Sequence, residues 1–452
     1  MVFLISCVSV FYQVFCRTFG LSNLLRQFCT FALMVVCAAA TAAPVLPDEV
    51  VLAIRTAIQT HPDVMGADSK MLSAQTQVVA GGYRWFPKAE VAVKAGKSGD
   101  RYSTIGLNQT LWDGGKLNAG FDSAKATESA ALFDKDVSME SVGMAAALVY
   151  IEVAKARHQK QVADDNVSEH EKLYESVQRR RDGGIGARSD VTLASSRLRQ
   201  ARATAEHWQG EVSRSEAAYL SVVGTSPVEG SLPLINLWDI ANGKEGVVAR
   251  VVARAPSLQK IREEVKVAEL DVASKKAQLF PTLYARVENI QYFGNSAIND
   301  DTRFSVNFQW QNDVALTQRY QVDAAQYMVM AAQRLLESEE RKLKNSASDY
   351  WDDYATSLSR REELGRFLIS ASETVLLFKR QFTIGRRSWP EVMNSLQDLY
   401  SARSQKVDAM YGAMSARMKL AFVAGEMDFL LGSHLQAEGQ GGKIDLPGGL
   451  HD

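Results

Sequence analysis

From Lys116 to about Arg181 the chain has no proline and only two glycines, Gly120 and Gly143, and from about Ala315 to Phe382 there is again no proline. Within the first run Val142, Ala146, Val149, Val153 and Ala156 return at alternating spacings of four and three. Leu364, Phe367, Ala371, Thr374 and Phe378 do the same in the second. Such spacing makes coiled-coil-like seams. At about 1.5 Å per residue each run builds a helix about 100 Å long. A compact globular domain does not contain helices of that length. Alanine dominates both runs, so neighbouring helices can approach closely.

The two runs belong to two copies of one pattern. His-Pro-Asp-Val at 61–64 is echoed by Ala-Pro-Ser-Leu at 255–258, and Trp-Phe-Pro-Lys at 85–88 by Leu-Phe-Pro-Thr at 279–282. Pro62 and Pro256, like Pro87 and Pro281, are 194 positions apart. Two independent pairs at one offset imply an internal repeat. Each half reads helix, Phe-Pro, two strands, long helix, glycine turn, helix. The expected organisation is a leader at 1–42, a first repeat at 43–223, a linker at 224–247, a second repeat at 248–431 and a disordered tail at 432–452. The linker holds Pro227, Pro233 and Trp238 and breaks the periodicity. The tail is glycine-rich and aperiodic.

Two short strands alternate, 303–310 more clearly than 88–96, and their partners less cleanly. Phe304, Val306, Phe308 and Trp310 interleave with Arg303, Ser305, Asn307 and Gln309; Ala89, Val91, Val93 and Ala95 interleave with Lys88, Glu90 and Lys94. Period two with one apolar and one polar face means two different environments. Partner strands are expected near 102–112 and 283–293. Trp85 and Phe86 precede the first strand and Trp112 ends its hairpin, so aromatics gather at one end of the sheet. A membrane-interface girdle has this form; so does one face of an ordinary β-sandwich.

Arg17 and Arg26 are the only charges before Asp48. An apolar run at 28–40 and the small-x-small site Ala40-Thr41-Ala42 follow, as in a secretory signal. All four cysteines (Cys7, Cys16, Cys29 and Cys37) precede that site. With the leader removed, a disulfide scaffold, a zinc-thiolate site and a cysteine nucleophile are excluded. The 49 basic residues left (51 less Arg17 and Arg26) face 52 acidic ones, so no nucleic-acid partner is expected.

No enzyme constellation is present. The six histidines are scattered without a His-x-x-x-His pair, and no metal or cofactor is expected. Gly96-Lys97-Ser98 imitates the end of a phosphate loop, but Val91 stands where the upstream glycine is required.

Leader, tandem halves, Pro-anchored hairpins and long alanine-rich helices together resemble the TolC family of outer-membrane channel proteins, from about Leu46 to Leu431. The resemblance implies a mainly α fold with a small membrane β-barrel contribution: long antiparallel coiled coils, and four strands per protomer in a homotrimeric twelve-stranded barrel. It also implies a place in the outer membrane with helices reaching into the periplasm. The implied role is a passive exit duct for type I protein secretion or small-molecule efflux. Its implied partners are outer-membrane lipid, a periplasmic adaptor and an inner-membrane ABC or proton-driven transporter. A soluble periplasmic coiled-coil adaptor or scaffold would explain the helices but not the two hairpins.

Within the resemblance, Gly184-Ile185-Gly186 and Ile384-Gly385 are the periplasmic tip turns. In each an acid follows the glycine by six positions: Asp190 after Gly184 and Glu391 after Gly385. Arg387 matches a family arginine that holds the entrance shut, and Ser189 and Asp190 match its partners on the neighbouring tip. Phe382 stands where well-known members carry a tyrosine, so it has no hydroxyl to offer Asp190. Glu391 and Asn394 match two aspartates of an acidic entrance ring; with Asn394 uncharged, the trimer would hold three carboxylates there, and cations should bind more weakly. Asp190 and Glu391 at helix starts also fit simple capping.

Overall fold

The computed structural model describes residues 46–95, 101–230, 243–293, 301–310 and 317–425. The leader, the tail, the centre of the linker and the Gly96-Lys97-Ser98 segment lie outside these residues. The described elements run α1 (Asp48–Thr60), α2 (Pro62–Tyr83), β1 (Lys88–Ala95), β2 (Arg101–Trp112), α3 (Lys116–Asp182) and α4 (Arg188–Val223). The same order then recurs as α5 (Gly243–Arg254), α6 (Pro256–Ala277), β3 (Thr282–Phe293), β4 (Asp301–Gln309), α7 (Thr317–Thr383) and α8 (Trp389–Val423). Helix α5 begins inside the segment read as linker.

The echoed prolines have a common structural use. His61 and Ala255 are extended, with ψ of 130° and 121°. A residue before proline is kept out of the α region, which breaks the helix there. Pro62 and Pro256 then open the next helix, where the missing N–H is no loss.

Helices α3 and α7 each have 67 residues, about 100 Å at the α-helical rise. α3 packs against α4, α8, α6, α2 and α1, and α7 against α8, α6 and α5. The seams are lined with alanine: Ala146, Ala147 and Ala163 of α3 and Ala402, Ala413 and Ala421 of α8 are all 0% exposed. Without larger side chains between them, the backbones can lie close together. Gly143 marks the tightest approach, because a Cβ there would stand 3.0 Å from the Phe422 ring and 3.4 Å from Ile54 and Ile58. Gln159, wholly buried on α3, donates to the Ser404 carbonyl of α8 at 2.9 Å. Helix α3 also holds an 18-residue stretch apolar enough to cross a bilayer by composition; the same composition serves these close-packed seams.

The seam expected on α7 is off by one residue at two positions. Phe367 is 43% exposed and Thr374 is half-buried, whereas Ala371, Val375 and Phe382 are buried and Leu368 and Phe378 pack against them. The actual line runs Leu364, Leu368, Ala371, Val375, Phe378, Phe382. Both phases keep a 3-4 spacing and share Leu364, Ala371 and Phe378, so only tertiary packing separates them.

Glu140 on α3 has its carboxyl pushed up to about 7 by burial, with a smaller contribution from Asp136. The folded pKa lies above the unfolded one, so stability falls as pH rises from about 4.5 to 7 and stays lowered above that. Glu140→Gln is expected to raise the thermal midpoint at pH 8, by up to about 3 kcal/mol in stability, and to leave it unchanged at pH 4. Circular dichroism of detergent-solubilised protein reads this; equal gains at both pH values would show that charge is not the cause.

Candidate functional site

The four strands form one antiparallel sheet in the order β1-β2-β3-β4. The β2–β3 pairing joins the two halves of the chain. Paired residues share a face, and the register Val91↔Ile105, Leu107↔Val287, Val287↔Phe304, Ala285↔Val306 and Leu283↔Phe308 gathers the apolar side chains on one side. No described residue covers them. Val93 is 75% exposed, Phe304 71%, Val91 70% and Phe308 68%. The opposite face is polar: Asn108 donates to Glu90 at 2.9 Å, and Arg286 lies 2.8 Å from Glu288 and 3.7 Å from Glu90. Strands β1 and β4 are left as open edges among the described residues.

Trp85, Phe86, Trp112 and Trp310 are exposed by 45–62% and all sit at the end of the sheet that meets the helices. Trp112 packs edge-on to Phe280 and the Trp310 indole N–H donates to the Leu279 carbonyl. Tyr102 and Tyr292 pair at the other end. Between Trp112 and Tyr102 the strand covers about 33 Å, or about 25 Å of height at a barrel-like tilt, the height of an outer-membrane apolar band.

At the far end of the long helices are the two turns. Gly184 and Gly385 hold φ of 77° and 76°, the left-handed region that glycine enters without strain. Gly186 serves a close approach, because a Cβ would lie 3.0 Å from the backbone nitrogen of Arg181. Ile185 and Ile384, one in each turn, are 78% and 66% exposed.

Behind the turns is an apolar cluster from all four helix ends: Leu173 and Val177 of α3, Ala194 of α4, Val375 and Phe382 of α7, and Trp389, Val392 and Leu396 of α8. Arg180 crosses between the hairpins. Its guanidinium lies 4.6 Å from the Phe382 ring centre and donates to the Phe382 carbonyl at 3.2 Å. The position without a hydroxyl is therefore tied to the first hairpin through its ring and its backbone.

Glu391 completes a capping box. Its carboxylate accepts from Ser388 N at 3.0 Å and from Ser388 Oγ at 2.7 Å, and it also pairs with Arg387. These bonds, Ser388 foremost, hold its pKa below the usual carboxylate range. Arg387 further donates to Gln381 at 3.0 Å and stacks over Phe378 at 4.2 Å. Within one chain Arg387 is thus engaged in its own hairpin, not with Ser189 or Asp190. Asp190 occupies the corresponding third position of α4, but the residue before that helix is Ala187, which has no side-chain group for a capping box.

Asp190, Phe382 and Arg387 line one cleft of ≈ 160 Å³ between the tips, together with Arg180, Ser388 and Trp389. Ser189 and Asn394 are exposed and line no part of it. Sequence reasoning missed Arg180 and Trp389. The capping box was visible in Ser388-Trp-Pro-Glu391. No group of three or more potential ligands for a metal occurs among the described residues.

Residues 53–225, nearly the whole first half, match the family described as outer membrane efflux protein. The outer membrane efflux protein BepC of Brucella suis biovar 1 (strain 1330) is 20% identical over 331 residues, covering 72% of each chain. Among solved structures, the outer-membrane channel OprN aligns with a TM-score of 0.73 at 18% identity, over 84% of this chain and 90% of its own. The outer-membrane protein VceC of Vibrio cholerae aligns at 0.73 and 16% identity, over 82% and 95%. The outer-membrane channel MtrE of Neisseria gonorrhoeae, in its open state, aligns at 0.72 and 14%, over 83% and 89%. At such identities the structures speak for the fold, and the match at 53–225 speaks for the family. The first half of the chain thus matches the outer membrane efflux protein family, and the fold that runs through both halves is that of the TolC-like outer-membrane channels.

Proposed function

We propose that three copies of this chain form a passive exit duct. The observation that carries it is the open four-stranded sheet with an uncovered apolar face, joined end-on to helices of 67 residues. Four strands cannot close a barrel, and open edges are not tolerated in lipid. Three sheets joined edge to edge make a twelve-stranded barrel with no edge left. The apolar faces then meet lipid and the polar faces line water, while the helices form a tunnel towards the inner membrane. A soluble coiled-coil protein would have no use for the uncovered face.

The tips, with Ser189, Asp190, Phe382, Arg387, Glu391 and Asn394, are the entrance of this duct. Energy comes from an inner-membrane transporter, ABC-type or proton-driven, through a periplasmic adaptor. The Arg188-Ser189-Asp190-Val191 tip favours type I protein secretion; the efflux names of the relatives favour small compounds. Because Glu391 is already paired with Arg387 and Ser388, the entrance carboxylates attract cations weakly in either case.

Protein from outer-membrane extracts is expected to run as a heat-dissociable trimer and to give discrete conductance steps in planar bilayers. A soluble, monomeric periplasmic protein without conductance would overturn the reading.

A further inference from the structure

Basic side chains gather where the sheet meets the helices. The segments that join the two, with the helix turns beside them, are 80–87, 113–119, 274–281 and 317–320. They hold five cations, Arg84, Lys116, Lys275, Lys276 and Arg319, against a single acid, Asp113. Arg84 directly follows α2, Lys116 opens α3, Lys275 and Lys276 belong to the last turn of α6, and Arg319 lies in the first turn of α7. All five are therefore within about 3 Å of a helix end along the axis. None of them has an acid within 4 Å among the described residues. The one acid is spent on the backbone, because Asp113 accepts from Gly115 N at 3.1 Å and from Leu117 N at 2.8 Å. Lys275 is half-buried and the other four cations are exposed.

Arg84 leans across to α3: a Cβ on Gly120, one turn beyond Lys116, would stand 3.8 Å from its Nη1. Residues one turn apart share a helix face, so two cations meet at the α2–α3 junction with no acid to offset them. Like charges left together repel, and an anion from outside the chain relieves this. Their position says which anion. On the sheet side of the belt stand the exposed rings of Trp85, Phe86, Trp112 and Phe280, and beyond these the uncovered apolar face begins. Such rings mark the headgroup level of a membrane. Lysine and arginine lay their stems along apolar surface and carry the charged head to that level. The belt thus follows the apolar face as headgroups follow acyl chains.

We propose that this belt binds the anionic headgroups of phospholipids in the periplasmic leaflet. The proposal rests on the duct reading and adds to it the class of lipid that surrounds the duct. Charge complementarity and continuity with the apolar face select this occupant. A zwitterionic headgroup brings no net charge to the five cations, and a free anion in water has no reason to prefer the height of the aromatic rings.

Purified full-length protein is reconstituted in phosphatidylcholine vesicles, with brominated phosphatidylglycerol or brominated phosphatidylcholine added to quench tryptophan fluorescence. Trp85, Trp112 and Trp310 stand beside the belt as reporters. Wild type is expected to favour the brominated phosphatidylglycerol by about threefold or more, and salt should shrink the preference. Arg84→Gln, Lys116→Gln, Lys275→Gln, Lys276→Gln and Arg319→Gln together should bring the ratio to about one. Lys275→Gln with Lys276→Gln alone should lower it in part, and this pair decides the matter if the fivefold variant does not assemble. Lys88→Gln with Lys94→Gln, on the polar face of β1, should leave it unchanged. Equal quenching by the two lipids in wild type, a preference that survives the belt substitutions, or an equal loss in the β1 control would overturn the proposal. So would loss of the preference on adding inorganic phosphate at matched ionic strength, which would make the belt a site for free anions. Conductance is recorded on the same preparations: channels that conduct without a lipid preference overturn the belt alone, and a lipid preference without conductance defeats the duct reading and leaves the belt standing.

Discussion

Arginine at Phe304 and Phe308 together is expected to abolish assembly in the outer membrane. Both rings stand more than two-thirds exposed on the apolar face, across from Val287 and Leu283 in the register. In water such a face would be covered by a second layer; in the proposed barrel lipid is the cover. A charge on the lipid face of a barrel costs about 2–4 kcal/mol at the midplane and less towards the interfaces. Phe304 lies deeper than Phe308, which is nearer the Trp310 end, so the first substitution carries more of the loss. In a trimer each cost recurs three times, so a modest penalty per chain becomes large for the assembly. The measurement is the heat-dissociable trimer in outer-membrane fractions. Ser305→Arg and Asn307→Arg, on the polar face of the same strand, serve as controls and should leave the trimer in place. If they are as damaging as the phenylalanine substitutions, the polar side does not face water and the assignment of faces is wrong.

How much of this was legible in the sequence differs by element. The strand Phe304–Trp310 declares its two faces in every residue, because period two puts alternate residues on opposite sides of a sheet; whether lipid or a second sheet covers the apolar side is not written in the alternation. Each half reads as opening on one helix, whereas Pro62 and Pro256 divide it into two, a break that proline makes locally through its own ring and the residue before it. The seam of α7 was not legible either. Phe367 and Leu368 are both apolar neighbours, and which one turns inward depends on the helices it meets. At the tips the turns were readable from glycine, but the partners were not. Arg180 reaches Phe382 across 202 positions of sequence by a ring contact and a backbone carbonyl, and no spacing rule records such a contact. Arg387 shows the same limit from the other side, since the residues that engage it within its own chain, Gln381, Glu391 and Phe378, are local and say nothing of a contact with a second copy in the proposed trimer.

Trp389→Ala is expected to loosen the entrance while leaving the membrane end intact. Trp389 is 7% exposed and is the first residue of α8, packed in the cluster that joins the two hairpins. Truncating a buried aromatic to alanine costs about 3–5 kcal/mol. The loss falls at the tip end of the cluster that joins the hairpins, where Arg180, Phe382, Arg387 and Ser388 line one cleft with this ring. The Arg387–Glu391 ion pair is partly exposed and contributes little by itself, so packing dominates the tip. Amide hydrogen exchange should therefore accelerate around 177–194 and 375–396 and stay unchanged at 88–112 and 282–309, about 100 Å away along α3. Arg387→Ala removes the pair with Glu391, the hydrogen bond to Gln381 and the stacking on Phe378, and should produce a smaller change in the same region. In bilayers the tryptophan variant should conduct more than wild type, because a tip that frays no longer holds the tunnel entrance narrow. Faster exchange without a rise in conductance would show that the cluster stabilises the hairpins but does not set the width of the opening. Unchanged exchange would show that the tip is held chiefly by contacts between copies, with the cluster seen here in a secondary part.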